Sequence, residues 1–371
     1  MSNDQTQIER RLALLREQLE RWDVDGLLIG SPANRRWLSG FTGSAGWLLV
    51  THEKALLATD FRYWSRAEVE APAFTLYKLA QATKIGNFVV EAALDSLGLE
   101  AQHLTLSQFN VLRAAFAAAD ENGSEVTWCP LETTVEPWRA VKTPAELTRI
   151  RAAAAITDSV MAQVNDLVRP GQSERELAWE LEKRLREAGA EGLAFPLIVA
   201  SGPYTAFPHY LTGDRILQQG DTIVVDMGAA IGGYNSDLTR SFYLGQNPSP
   251  QFWEMYELAL QAQMNVFAGA RPGMTGQAVD ALARDVIAGA GHAEHFGHGT
   301  GHGVGLEIHE APRLSPLNAE AEISAGMVIT VEPGVYIPGQ GGVRIEDLAL
   351  VIDNGLKSLS HCPKTPLIAV T

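Results

Sequence analysis

Only two cysteines, Cys129 and Cys362, occur in the 371 residues, far apart and without a CxxC or other ligand-like spacing. That spacing excludes a disulfide framework and a thiolate metal cluster, and it suits a reducing cytoplasm with two buried structural thiols. Long hydrophobic runs are also missing. No apolar stretch approaches the ~18 residues of a membrane span, and the polar opening MSNDQTQIERR has no apolar signal core, so neither anchor nor leader is expected. Basic charge is scarce, with 29 Lys and Arg against 44 Asp and Glu, a net charge of −15. Such a balance repels phosphate backbones and anionic membranes, which removes nucleic acid and lipid from the expected partners.

A chain of 371 residues exceeds what one core usually serves, so two domains are expected. Ile8, Leu12, Leu15, Leu19 and Trp22 recur at three- and four-residue steps and predict an N-terminal helix. Short apolar runs follow at 26–30, 47–50 and 55–59, then helical patterns around 61–70, 84–98 and 107–120, which together read as a small α/β domain. The loop from Trp37 to Ser44 mixes aromatics with glycines and reads as a tight turn over core aromatics. Periodicity is lost between Glu132 and Lys142, and Thr143-Pro144-Ala145-Glu146 then supplies a helix N-cap, a first-turn proline and a capping-box glutamate. We therefore divide the chain into residues 1–134 and 135–371.

The second part repeats itself. Arg169-Pro170-Gly171 recurs as Arg271-Pro272-Gly273, each followed by an amphipathic helix with Leu177, Leu181 and Leu185 or Val279, Leu282 and Val286 on its apolar row. Gly171 and Gly189 are 18 residues apart, and so are Gly273 and Gly291. Each copy leads into a hairpin pattern, GDTIVVDMG or GMVITVEPG, whose carboxylate stands six residues after a glycine. A second carboxylate follows a glycine-rich turn, Asp237 being 11 residues after Asp226 and Glu346 14 after Glu332. Such self-similarity predicts a duplicated helix-plus-hairpin unit, packed as two pseudo-symmetric halves around one sheet.

Asp226 and Glu332 interrupt apolar strands, where a lone carboxylate is costly unless paired, protonated or bound to a cation. Four carboxylates gathered by two hairpins repel one another, and divalent cations are the recurring compensation. Between the hairpins runs HGTGHGVGLEIHE, with His298, His302 and His309. Glycine at 299, 301, 303 and 305 would leave one face of an extended strand bare, reading as room for a peptide beside the histidines. Spacing alone does not decide which histidine binds metal. An oxygen-rich site with one imidazole suits Mn²⁺, Co²⁺ or Zn²⁺. His52, His103, His292, His295 and His361 show no partner pattern and read as surface or loop residues.

The stretches SGPYTAFPHY, VVDMGAAIGGYNSDLTR, HGTGHGVGLEIHE, VEPGVY and GGVRIEDL, in that order, resemble the pita-bread metallopeptidases. The similarity is to their Xaa-Pro aminopeptidase and Xaa-Pro dipeptidase (prolidase) branch. It implies an α+β fold: a C-terminal pita-bread domain of two duplicated helix-plus-hairpin halves with a smaller N-terminal α/β creatinase-like domain. It further implies that Asp226, Asp237, His302, Glu332 and Glu346 bind two divalent metal ions, Mn²⁺ with Co²⁺ or Zn²⁺ as alternatives, Asp237 and Glu346 bridging them. Glu332 matches a proton shuttle. His209 and His309 match histidines that contact substrate and stabilise the tetrahedral intermediate, while His298, Tyr336 and Arg344 match substrate-pocket residues. The implied activity is hydrolysis of the bond between an N-terminal residue and a following proline. An Xaa-Pro dipeptidase is the alternative, and a non-catalytic peptide-binding member of the fold is the remote one. The resemblance also implies a homodimer.

Overall fold

The helix Asn3–Trp22 buries Ile8, Leu12, Leu15 and Leu19 on one face, the row expected from their spacing, and leaves Trp22 half-buried. It begins a computed structural model that describes residues 3–80, 85–120 and 125–368 in two units, Met1–Arg139 and Ala140–Thr371. Among the described residues no helix is long and apolar enough to cross a membrane.

The first unit is built on a mixed six-stranded sheet in the order Thr75–Leu79, Ala55–Asp60, Trp47–Thr51, Gly26–Ile29, Ser96–Glu100, Thr127–Leu131. Helices stand at Trp64–Glu70, Ile85–Val90 and Leu106–Ala119. The helix expected over 84–98 is shorter than its pattern, and position 84 lies outside the described residues. Ala93 takes a left-handed φ of 54°, which ends helical continuation. Leu97 and Leu99 then bury themselves in a strand paired parallel to its neighbours on both sides. A short apolar run is ambiguous between helix and buried strand, and burial between two strands decided it. Trp37 and Phe41 are core residues, 6% and 1% exposed, but Trp37, Leu38 and Ser39 belong to the helix Pro32–Ser39 and the turn starts only at Gly40. Both thiols are free, but only Cys362 is buried; Cys129 lies half-buried on an outer strand of the sheet.

In the second unit, the Thr143 hydroxyl accepts from the Glu146 N–H and the Glu146 carboxylate from the Thr143 N–H at 2.8 Å, completing the capping box that starts the helix Pro144–Met161. The duplication is physical. Gly171, Gly189 and Gly220 have φ of 88°, 103° and 95°, and their counterparts Gly273, Gly291 and Gly326 have 84°, 87° and 91°. In the first half, Leu177, Leu181 and Leu185 of helix Glu174–Glu187 pack on Ile223, Val225 and Met227 of strand Thr222–Met227. In the second, helix Gly276–Gly289 packs on Ile329 and Val331 of strand Val328–Val331. The row it buries is Val279, Ala283 and Ile287, not the expected Val279, Leu282 and Val286. Leu282 and Val286 are half-buried at its flank, where Leu282 covers the backbone of Gly269 on helix Pro250–Gly269.

The main strands of the two halves form two separate sheets, correcting the single sheet expected. One has the order Leu367–Ile368, Leu238–Leu244, Thr222–Met227, Ile198–Ser201; the other Glu310–Leu314, Gly301–Gly303, Val328–Val331, Asp347–Ile352, Gly355–Ser358. No ladder crosses the seam between them among the described residues. A backbone bond from Glu346 N–H to Thr239 O does, at 3.1 Å. The buried Arg240 guanidinium seals the junction with hydrogen bonds to the carbonyls of Thr239, Glu346, Cys362 and Pro363 and to the Asp347 carboxylate.

Ile287→Ala should destabilise the protein by about 2–5 kcal/mol, and Val286→Ala by less than about 1.5 kcal/mol, in denaturant unfolding. Equal costs would put the wrong row inside.

Candidate metal centre

Each hairpin delivers one carboxylate where its first strand ends and one where its second begins. Asp226 stands opposite Thr239 in the register of the first hairpin, and Asp237 immediately precedes its return strand. Glu332 follows strand Val328–Val331, and Glu346 precedes strand Asp347–Ile352. Asp226, Asp237 and Glu346 are 9%, 5% and 1% exposed, and Glu332 is half-buried, so none of the four is well solvated. His302 comes from a third element, Gly301–Gly303, and donor atoms of Asp237, His302 and Glu346 lie within 4.8 Å of one another.

The imidazole of His302 points a lone pair at these oxygens. Its Nδ1 is 3.1 Å from the Gly303 carbonyl, an arrangement in which Nδ1–H donates and Nε2 remains an acceptor. That Nε2 is 3.4 Å from Glu332 Oε1 and 3.6 Å from Asp237 Oδ2. Protonation does not rescue the contact, because burial and the neighbouring His309 push the His302 pKa down to about 3. Nε2 therefore presents a lone pair, and no proton, to these carboxyl groups. In addition, the buried Asp226 Oδ1 has no hydrogen-bond partner among the described residues.

One guanidinium answers this charge. Arg344 Nη2 donates to Asp226 Oδ2 at 2.6 Å, and its Nε donates to Thr239 Oγ1, which in turn donates to Glu346 Oε2 at 2.5 Å. Compensation is incomplete. Burial, followed by the neighbouring carboxylates, raises Asp237 and Glu346 well above the usual carboxylate range. Burial and Asp226 push Glu332 up to about 7, and for Asp226 itself burial outweighs the pull of Arg344. An orphaned carboxylate oxygen, an imidazole lone pair and a surplus of buried negative charge fit divalent cations bound by oxygen with one nitrogen.

A cavity of about 690 Å³ opens onto these groups. Asp226, Asp237, His302, Glu332, Glu346, Arg344, His209, His298 and His309 all line it. Tyr336 does not. Its buried hydroxyl accepts from Arg344 Nη1 at 3.2 Å and stands 2.9 Å from His298 Nε2, so it reaches the cavity only through those two residues. The His309 ring lies 4.3 Å from that of His302, and its pKa is lowered by burial and by Arg313 and His209. His209 is exposed on the loop before the first hairpin.

Two expectations need correction. The thirteen-residue histidine stretch is not one strand: Gly301–Gly303 is one, with an irregular register after His302, and Glu310 at the far end begins another. Nor do its glycines make room for a peptide. A Cβ at Gly301 would stand 2.1 Å from the Thr330 carbonyl, and one at Gly303 2.0 Å from that of Ala311, so neighbouring strands already occupy the bare face. The loop histidines are not all partnerless, since His292 and His295 face each other at 2.9 Å and His103 lies 3.6 Å from Glu136. Residue-type reasoning also passed over Thr239 and Thr330, whose hydroxyls bond Glu346 and Glu332. Thr330 had a signal, a hydroxyl on the otherwise apolar strand VITV; Thr239, beside Arg240 and Ser241, had none.

The sequence profile of metallopeptidase family M24 matches residues 148–353, and that of the creatinase/prolidase N-terminal domain matches residues 11–141. An uncharacterized peptidase of Bacillus subtilis, YqhT, is 39% identical over 96% of this chain and 99% of its own length. The structure is similar to that of an Xaa-Pro dipeptidase from Bacillus anthracis, with TM-score 0.91 and 36% identity over 97% of this chain and 99% of that one. It is also similar to an X-Pro aminopeptidase from Thermotoga maritima, with TM-score 0.84 and 33% identity over 95% of this chain and 100% of that one.

The charge surplus has a pH signature. A carboxyl whose pKa is higher in the folded than in the unfolded state gives stability that is lost as pH rises through the folded value. Glu332 is pushed up to about 7 and Asp237 and Glu346 are held well above the usual carboxylate range, while His302 and His298, pushed down to about 3 and about 4, no longer contribute above pH 7. Chelator-treated protein should therefore lose Tm from pH 7 to 8, and added divalent cation should raise Tm more at pH 8. A flat Tm with equal gains at both would contradict uncompensated charge at the site.

Proposed function

The chain belongs to metallopeptidase family M24, with a creatinase/prolidase-type N-terminal domain and the pita-bread fold, and on that premise we propose that this hydrolase is an Xaa-Pro dipeptidase. The observation that carries the peptidase reading is the convergence of four carboxylates and the His302 lone pair on one cavity with too little positive charge. The sequence alone put Xaa-Pro aminopeptidase first. The tighter overlay on the Bacillus anthracis dipeptidase than on the Thermotoga aminopeptidase reverses that order. The aminopeptidase reading keeps one observation in its favour, a cavity of about 690 Å³ that is roomy for a dipeptide.

In this reading residues 135–371 form the catalytic domain and residues 1–134 the creatinase-like domain. Asp226, Asp237, His302, Glu332 and Glu346 would hold two divalent cations, Mn²⁺ with Co²⁺ or Zn²⁺ as alternatives. Four carboxyl groups gathered around Arg344, with Arg313 also lining the cavity, outnumber the guanidiniums that face them, which supports divalent cations there. Cations held there supply Lewis acidity toward the scissile carbonyl and toward a water nucleophile. Glu332 carries a proton to the leaving proline nitrogen. His309, kept neutral, retains an N–H to donate to the developing oxyanion, and His209 approaches from the exposed loop. Arg344 donates to the Pro208 carbonyl at 3.1 Å, tying the residue before His209 to the carboxylate cluster. His298 lines the substrate wall, and Tyr336 supports it and Arg344 from behind. A homodimer in a reducing cytoplasm, implied by the resemblance and suited to the free thiols, belongs to the same proposal.

Cation-loaded protein should turn over Xaa-Pro dipeptides and leave Xaa-Pro-Yaa tripeptides below about a hundredth of that rate. Comparable cleavage of the tripeptides would make it an aminopeptidase, and cleavage of neither would leave a non-catalytic binding protein. Glu332→Gln should lower kcat by about 10²–10⁴-fold while far-ultraviolet circular dichroism stays native. Unchanged turnover would remove Glu332 from the reaction.

A further inference from the structure

The second unit buries a lysine that its core does not need. Lys142 has a side chain 1% exposed and donates from Nζ to Glu310 Oε1 at 2.6 Å and to the Ala140 carbonyl at 2.9 Å. The Glu310 side chain is 6% exposed. Burying such a pair costs several kcal/mol of desolvation per ion, and apolar residues of similar volume often hold a core as well or better. What an ion pair supplies that they do not is direction. Here the direction is toward the histidine loop.

Glu310 directly follows His309 and begins the strand Glu310–Leu314. Residues 304–309 ahead of it form no helix or strand; Val304, Leu306 and Ile308 pack into an apolar cluster, and three further anchors bear on their path. Val304 N–H donates to the Val328 carbonyl at 3.0 Å, and the Asn235 amide donates to the carbonyls of Gly305 and Leu306 at 3.1 and 3.2 Å. The third anchor is Glu310, whose carboxylate lies across the bare α-carbon of Gly305, where a Cβ would meet it at 2.3 Å. Lys142 is itself fixed: its N–H donates to the Gly326 carbonyl at 2.9 Å, and Val141 bridges Met327 at the foot of the second hairpin.

We propose that Lys142 is a positioning residue, whose ion pair with Glu310 sets the His309 imidazole against His302 and the cavity. The pair thereby references the histidine loop to the hairpin that carries Glu332 and Glu346. This inference rests on the role given to His309 above, and the test separates the two.

Lys142→Met/Glu310→Met replaces the pair by apolar bulk without leaving a lone charge. It should fold and keep cation affinity within about threefold of wild type, but lose at least about tenfold in kcat on an Xaa-Pro dipeptide with KM within about twofold. Lys142→Arg, which keeps the charge, should retain at least about half the rate. A second readout needs no turnover. In zinc-loaded protein with ¹⁵N-labelled histidine, the His309 ring signal, assigned with His309→Gln, should move in the double variant while those of His292 and His295 stay. If the double variant does not fold, Glu310→Gln, which keeps shape and removes charge, takes its place with the same expected losses. Wild-type kcat together with an unmoved His309 signal overturns the positioning role. A wild type that cleaves no peptide, with the His309 signal moved in the variant, sinks the peptidase reading and leaves the positioning role standing.

Discussion

Arg344 sets one positive charge against four carboxylates, bonding Asp226 at 2.6 Å and reaching Glu346 through the Thr239 hydroxyl. The rest of the second unit holds that imbalance in place. Repulsion among partly desolvated carboxylates acts to open the seam between the two sheets. The structure resists with Arg240, buried and hydrogen-bonded to both sides of the seam and to the C-terminal segment, and with two helices that bury their apolar rows against the hairpins. Stability is built into the scaffold and withheld from the site.

Duplication explains how one chain supplies such an arrangement. A single helix-plus-hairpin unit has one carboxylate at the end of its first strand and one at the start of its second, and nothing opposite them. Two copies placed face to face put four carboxylates on one cavity, with equivalent glycines in equivalent left-handed turns. The imidazole comes from the short strand Gly301–Gly303, whose counterpart in the first half, Ile198–Ser201, carries no histidine, which is why the site has one nitrogen among oxygens. Thr239 and Thr330 stand beside the carboxylates of their own halves and hydrogen-bond Glu346 and Glu332.

Much of this was legible in the sequence. The repeat showed in RPG spacing, the start of the second unit's first helix in Thr143-Pro144-Ala145-Glu146, and the carboxylates in their misplacement on apolar strands. Those signals are local: caps, left-handed turns and period-two patterns depend on residues a few positions away. Errors fell where packing overrides pattern. The row on helix Gly276–Gly289 was off because Leu282 satisfies itself on Gly269, and the strand at 96–100 was hidden because an apolar run reads alike as helix or buried strand.

The glycines of the histidine stretch mark the boundary between the two kinds of information. The sequence by itself determined that four side chains had to be absent at alternate positions beside His302, because only glycine was placed there. What fills the vacated space is a long-range property. The Thr330 and Ala311 carbonyls, from strands on either side, come within about 2 Å of where a Cβ would stand, so the gaps serve backbone and not ligand. In the same way, the sequence determined that carboxylates and histidines were present in a repeated order. Only the tertiary structure decided that His302 aims an unprotonated nitrogen at Glu332 and Asp237 and that Tyr336 lies behind Arg344. Electrostatic fit depends on distances across the seam between two sheets, and no spacing along the chain records those.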